Sequence, residues 1–179
     1  MKKFEEIPFV FKFVVVLVLL SGCSSQEAFQ EVEIDAKELQ EKLDNKEDFV
    51  VIVEREGCSY CEALDAYIEE TKQEHAGLVL YKLDSTDFDL KREKEEDMTL
   101  VTTNEDGQIL LKMAPYFLYT PSLYIVEDGK AIQAGIGYND LTHEVSLWDV
   151  DSTIDFNQAE PQDFWSFVRK RSGKVTRNR

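Results

Sequence analysis

Between residues 49 and 68 the chain reads FVVIVEREGCSYCEALDAYI. FVVIVE is an apolar run bounded by charged residues, the pattern of a strand buried on both faces in the middle of a sheet. Beyond it the spacing becomes helical. From Cys61 the apolar positions Leu64 and Ile68 recur, Tyr67 widens the stripe, and Glu62, Asp65, Glu69 and Glu70 take the wet side. A strand, a tight turn at Gly57 and a helix in succession put Cys58 at or near the helix N-terminus. Unpaired backbone N–H groups and the positive end of the helix dipole stabilise a thiolate there, lowering the thiol's pKa and making Cys58 the nucleophile. Cys61, one turn later, is then the buried resolving thiol. The CxxC spacing alone also suits half of a zinc site or an incidental local bridge.

The flanking segments extend this into an α/β pattern. VEI, 32–34, reads as a short edge strand. Residues 35–45 read as a helix capped by Asp35, with Glu38 placed for a capping box and Ala36, Leu39 and Leu43 on one face. GLVLYKLD, 77–84, is a second strand, which gives a β-α-β unit with a parallel crossover. From 85 to 119 the pattern is ambiguous: KREKEED is a charged surface segment, TNEDGQ carries a turn signal, and ILLKMAPYFLY suits helix or strand. TPSLYIVEDGKAIQAGIGY reads as a hairpin, with strands 122–126 and 130–137 around a Glu-Asp-Gly turn. Residues 139–158 look irregular. Pro161 suits the first position of a closing helix with Phe164, Phe167 and Val168 inward.

A chain of 179 residues accommodates one well-packed domain. Its net charge of −16 is uneven: residues 1–22 and 169–179 are basic, leaving 11 basic against 34 acidic side chains between them. Such a body repels nucleic acid and anionic membrane surfaces, because binding to either needs cationic contacts. The basic residues 173–179 read as a flexible, solvated tail.

The N-terminus has the form of a secretory signal. Lys2 and Lys3 precede an apolar stretch that ends in small residues, and because Pro8 and Ser21 enclose only the segment 9–20, with Lys12 inside it, the run is short for a permanent transmembrane helix. Leu20, Ser21, Gly22 and Cys23 resemble the lipobox of bacterial lipoproteins. That resemblance implies a signal peptide over 1–22 and a diacylglyceryl-modified Cys23 as the first mature residue, anchored by acyl chains. Residues 23–31 then serve as a polar tether and 32–172 as the domain. With Cys23 lipidated in an exported protein, Cys58 and Cys61 have only each other as disulfide partners.

A CxxC where a strand meets a helix, followed some sixty residues later by Thr120-Pro121 leading into an apolar hairpin with an Asp-Gly turn, resembles the thioredoxin superfamily. The resemblance covers roughly 32–138 and the last helix. It implies a central mixed sheet flanked by helices, with insertions before the cis-proline loop and before the C-terminal helix. Pro121 is then the cis-proline lying against the dithiol, Thr120 offers its backbone to an extended substrate, and Ser59 and Tyr60 lie between the reactive thiols. The family usually has Trp immediately before the first Cys, where this chain has Gly57. Six positions before that Cys it buries an acid that manages the resolving thiol's proton, and here Ile52 stands there. With its lipobox, the chain is similar to exported, lipid-anchored thioredoxin-like proteins of bacteria, among them bacteriocin transport accessory proteins.

The expectation is a monomeric thiol-disulfide oxidoreductase at the extracytoplasmic face of a bacterial cell membrane, acting on exported protein disulfides or thiols with a separate redox partner and no cofactor. The alternative is a thioredoxin-fold binding or accessory module of a secretion system with a structural disulfide. A zinc site would need about four ligands, and the only further soft donors are His75 and His143, both expected at or near the surface. Cysteine-protease chemistry would need a His paired with the thiol. DVDSTIDFNQAE, 149–160, has EF-hand-like acidic spacing but Ile154 where a Gly is required, so it reads as a solvated loop. Phe164, Trp165 and Phe167 read as core.

Overall fold

The computed structural model describes residues 27–94, 99–117, 119–151, 155 and 157–172. The signal segment 1–22, the lipobox Cys23, residues 24–26 of the tether and the basic tail 173–179 lie outside the described residues, as does Ile154. Among the described residues, no helix is long and apolar enough to cross a membrane.

The chain opens with β1 (Gln30–Ile34), α1 (Ala36–Asp44), β2 (Phe49–Glu54) and α2 (Ser59–Thr71). A 3-10 turn over Lys72–His75 leads to β3 (Val79–Asp84) and α3 (Glu105–Met113). Then come β4 (Ser122–Glu127), β5 (Lys130–Asn139), β6 (Glu144–Trp148), β7 (Glu160–Asp163) and α4 (Phe164–Ser172). The seven strands form one sheet in the order β1-β3-β2-β4-β5-β6-β7. β1, β3 and β2 run parallel and the remaining pairings are antiparallel. This is the mixed sheet with flanking helices that the sequence predicts.

β2 sits between β3 and β4 and divides two cores by simple alternation. Phe49, Val51 and Val53 pack with α1 and α3 through Leu39, Leu110 and Met113. Val50 and Ile52 pack with α2 and α4 through Leu64, Ile68, Phe164 and Phe167. Both faces of the strand are thus covered, which is why its sequence is continuously apolar. Phe164, Trp165 and Phe167 are buried as expected.

Local signals decide the element ends. Asp35 and Glu38 exchange side-chain to backbone hydrogen bonds, so the predicted capping box starts α1. The β4–β5 connection is a two-residue turn with Asp128 and Gly129 both at positive φ. A Cβ on Gly129 would lie 2.1 Å from the Leu43 carbonyl oxygen, so the turn needs glycine for space as well as conformation.

Four expectations change. β1 begins at Gln30, so the fold takes in the last two residues of the segment 23–31 read as tether. The turn signal in TNEDGQ is instead the start of α3: Asn104 caps it by accepting from the Gly107 N–H, and a Cβ on Gly107 would meet the Phe88 carbonyl oxygen at 2.5 Å. That glycine serves close packing rather than a turn. Residues 139–158, read as irregular, contain β6, whose Val145 and Leu147 pack on the α2/α4 side. Pro161 lies in β7, opposite Ser146, and not in the closing helix. Asp163 caps α4 instead, accepting from the Ser166 N–H. β7 lies at the sheet edge, where a residue without an N–H is tolerated.

Candidate functional site: the Cys58–Cys61 dithiol

The chain leaves β2 at Glu54, turns at Gly57 with φ 70°, and enters α2 with Cys58 as the N-cap residue. At Gly57 the backbone is in the left-handed region, where a tryptophan would be strained. That accounts for glycine here in place of the aromatic residue expected from the thioredoxin resemblance.

Cys58 and Cys61 are joined in a disulfide across the first turn of α2. The Cys61 N–H donates to Cys58 Sγ at 3.2 Å, so the sulfur caps the helix. The Thr120 hydroxyl donates to the same sulfur at 3.3 Å, and the Thr120 carbonyl oxygen lies 3.4 Å from it. The Thr120-Pro121 bond is cis. Thr120 and Cys58, 62 residues apart in sequence, are therefore brought into contact. Cys58 is 7% exposed, but it lines two solvent-facing clefts. Of the residues between and beside the thiols, Ser59 and Tyr60 line the larger cleft with Cys58 and Thr120, and Tyr60 is 61% exposed. Pro121 is buried.

The Thr120 hydroxyl and the N-terminus of α2, through the Cys61 N–H, thus converge on Cys58 Sγ, and both favour a negative sulfur once the bond is reduced. Thr120→Val keeps the side-chain shape and removes one donor. The reduced variant is expected to react with iodoacetamide at Cys58 roughly three- to tenfold more slowly at pH 7 than the parent. Equal rates would mean that the hydroxyl does not bear on the thiolate.

The second cleft, about 390 Å³, is shared by Cys58, Cys61, Glu54, Asp65 and Lys82. Ile52, at the position where the resemblance places an acid, is fully buried and apolar. Glu54 lies two residues further along β2 and so projects to the same face, nearer the strand end. Lys82 on β3 pairs with Glu54 at 2.8 Å, Asp65 at 2.6 Å and Glu31 at 3.4 Å. The Glu54 Oε1 atom is buried and has no hydrogen-bond partner among the described residues. Burial outweighs the neighbouring ammonium and pushes the Glu54 carboxyl up to about 7. Burial opposes the charge of Lys82, yet the hydrogen bonds it donates to the Asp65 and Glu54 carboxylates outweigh it and raise its pKa. Neither residue stands out from helical or strand periodicity. The signal that points to them is a lone lysine inside the apolar strand VLYKLD, since a buried ammonium requires carboxylates beside it.

Both histidines are committed elsewhere. His75 is buried, contrary to a surface placement: it stacks on Trp165 and accepts from Arg169 at its Nδ1 atom, 2.6 Å away. Burial, with Arg169, holds its imidazole below the usual histidine range. His143 stacks on Tyr67 and bonds to the Tyr138 hydroxyl. In the acidic loop, Asp155 accepts from Asn157 and Gln158, closing a local turn.

No protein-family model matches this chain, and no curated protein sequence does. Among solved structures it is similar to the J-Trx1 fragment of ERdj5, at 22% identity and a TM-score of 0.39 over 61% of this chain, spanning 42% of that fragment. It is similar to a chain in the complex of ferredoxin:thioredoxin reductase with thioredoxin f2, at 18% identity and a TM-score of 0.42, over 63% of this chain and 86% of that one. Thioredoxin f2 of Chlamydomonas reinhardtii gives 13% identity and a TM-score of 0.40, over 59% of this chain and 82% of that one. By its strand order, the β-α-β unit that carries the dithiol and the hairpin beside it, the chain has a thioredoxin-like fold.

Proposed function

We propose that this protein is a thiol-disulfide oxidoreductase that works on exported proteins outside a bacterial cell membrane, held there by a lipid on Cys23. The observation that carries the chemistry is the position of Cys58 Sγ, at a helix N-terminus and beside the Thr120 hydroxyl and carbonyl. The location is supported by the signal-like residues 1–22 and the lipobox. In the reducing direction, the Cys58 thiolate attacks a client disulfide, a mixed disulfide forms and one client thiolate leaves. Cys61 then attacks the Cys58 sulfur, the second client thiol departs, and the two electrons of the dithiol have passed to the client. Oxidation of a client dithiol reverses these steps. The Thr120 backbone aligns an extended client segment so that three sulfurs come into line.

Cys61 must lose its proton to attack, and Glu54 shares its cleft. A carboxyl with a pKa near neutrality accepts that proton and returns it in the reverse direction. The neighbouring Lys82 stabilises the carboxylate form. The exchange needs no cofactor; a separate redox partner restores the dithiol or the disulfide.

Cys61→Ala separates the steps. The variant is expected to accumulate exported proteins bound covalently to Cys58, seen as bands on non-reducing gels that disappear with dithiothreitol. Absence of any adduct, with exchange unimpaired, would overturn the mechanism. The double variant Cys58→Ser/Cys61→Ser is expected to lose client processing. Its persistence would make the protein a binding module with a structural bridge.

A further inference from the structure

Lys82 carries one positive charge and faces three carboxylates, each from a different element. Its ammonium lies 2.6 Å from Asp65 on α2, 2.8 Å from Glu54 on β2 and 3.4 Å from Glu31 on β1. Asp65 stands one helical turn after Cys61 on the same face of α2, and both line the second cleft with Glu54. The other charged residues of that cleft, Glu33, Arg55, Glu56, Glu62 and Asp84, are exposed, so water and salt screen them.

One ammonium does not balance three carboxylates, and the carboxylate with the least water yields its charge first. The Glu54 side chain is 12% exposed, against 34% for Glu31 and 45% for Asp65. One Glu54 oxygen meets Lys82, while the other is buried without a hydrogen-bond partner among the described residues. Asp65 keeps its charge through contact with solvent and makes the shortest of the three contacts with Lys82. It therefore acts on Glu54 twice. Its negative charge disfavours a second one nearby, and it takes a share of the ammonium that would otherwise stabilise the Glu54 carboxylate alone. Glu31 acts in the same direction from a longer distance.

We infer that Asp65 is a positioning residue for the resolving step: by sharing Lys82 with Glu54, it keeps the Glu54 carboxyl basic enough to take the Cys61 proton. This deepens the exchange reading and rests on Glu54 being the acceptor. Without the Asp65 charge, Lys82 pairs more fully with Glu54 and that carboxyl becomes a weaker base. Resolution then reaches its full rate at lower pH, and the full rate itself is smaller.

The test mixes reduced protein with one equivalent of dithiobis(nitrobenzoate) in a stopped-flow instrument, between about pH 5 and 9. Cys58 attacks the reagent disulfide and releases one coloured thionitrobenzoate. Cys61 then displaces the second as the Cys58–Cys61 bond forms, so the two electrons of the dithiol end on the two released thiolates. In the parent the rate of the second release is expected to rise with pH to a plateau, with a midpoint near 7 that is missing in Glu54→Gln. In Asp65→Asn the midpoint is expected about one pH unit lower, and the plateau lower by on the order of threefold. Asp65→Glu restores the charge and is expected to return the midpoint to the parental value. Glu31→Gln is expected to move it the same way as Asp65→Asn, but less. An Asp65→Asn midpoint at or above the parental one would overturn the inference and leave Glu54 as the acceptor. Where Asp65→Asn does not fold, an unmoved midpoint in Glu31→Gln would overturn it equally. The same profile in the parent and in Glu54→Gln would overturn the acceptor, and the inference with it.

Discussion

Cys58→Ser is expected to lose disulfide exchange with a thionitrobenzoate-labelled peptide by on the order of a thousandfold or more, the scale seen when a nucleophile is removed. The donors at the site favour a negatively charged atom, but a serine hydroxyl remains protonated near neutral pH and is a weak nucleophile toward sulfur. Cys61 does not replace it, because it is the more buried of the two and lacks the Thr120 contact. Cys61→Ala behaves differently: the first thionitrobenzoate is released at a near-parental rate and turnover then stops. The pair of results assigns attack to one sulfur and resolution to the other. Equal loss in both single variants at the first step would contradict that assignment.

Glu54→Gln is expected to remove a pH dependence of stability. The carboxyl titrates near 7 in the folded protein and near its ordinary value of 4.5 when unfolded. Between these values the folded state binds more protons, so its contribution to stability is fully present below about 4.5 and is lost as pH rises through about 7. The full swing corresponds to roughly 3 kcal/mol. Urea unfolding of the oxidised protein at pH 4.5 and 7.5 should therefore show the variant gaining on the parent by about that amount. Parallel changes in both proteins would contradict a raised carboxyl. The glutamine cannot accept the Cys61 proton, so release of the peptide from the mixed disulfide should slow by on the order of 10²-fold at pH 7. The initial attack by Cys58 should change much less.

Much of this architecture is legible in the residues because the decisive signals are local. FVVIVE reports a strand covered on both faces, Asp35 and Glu38 report a helix start, and Asp128-Gly129 reports a tight turn. The dithiol and Thr120-Pro121 are visible as motifs, and their meeting depends on β2 and β4 being neighbours, which suits two strands buried on both faces. Elsewhere tertiary context overrides the local pattern. Pro161 is compatible with a helix start or with an edge strand, and pairing with β6 selects the strand. Gly107 resembles a turn residue, yet its lack of a Cβ admits the Phe88 carbonyl against a helix. The Glu54–Lys82 pair joins strands 28 residues apart in sequence, so its burial follows from sheet register and not from any local motif.

The parallel course of β1 and β2 also orients the molecule. The chain enters the sheet at the beginning of β1, while the dithiol follows the end of β2, so entry point and reactive sulfur occupy opposite poles. The six residues of β2 set these poles roughly 20 Å apart. A protein tethered by its leading end would hold Cys58 on the side turned away from the attachment surface, free to meet chains arriving from the medium.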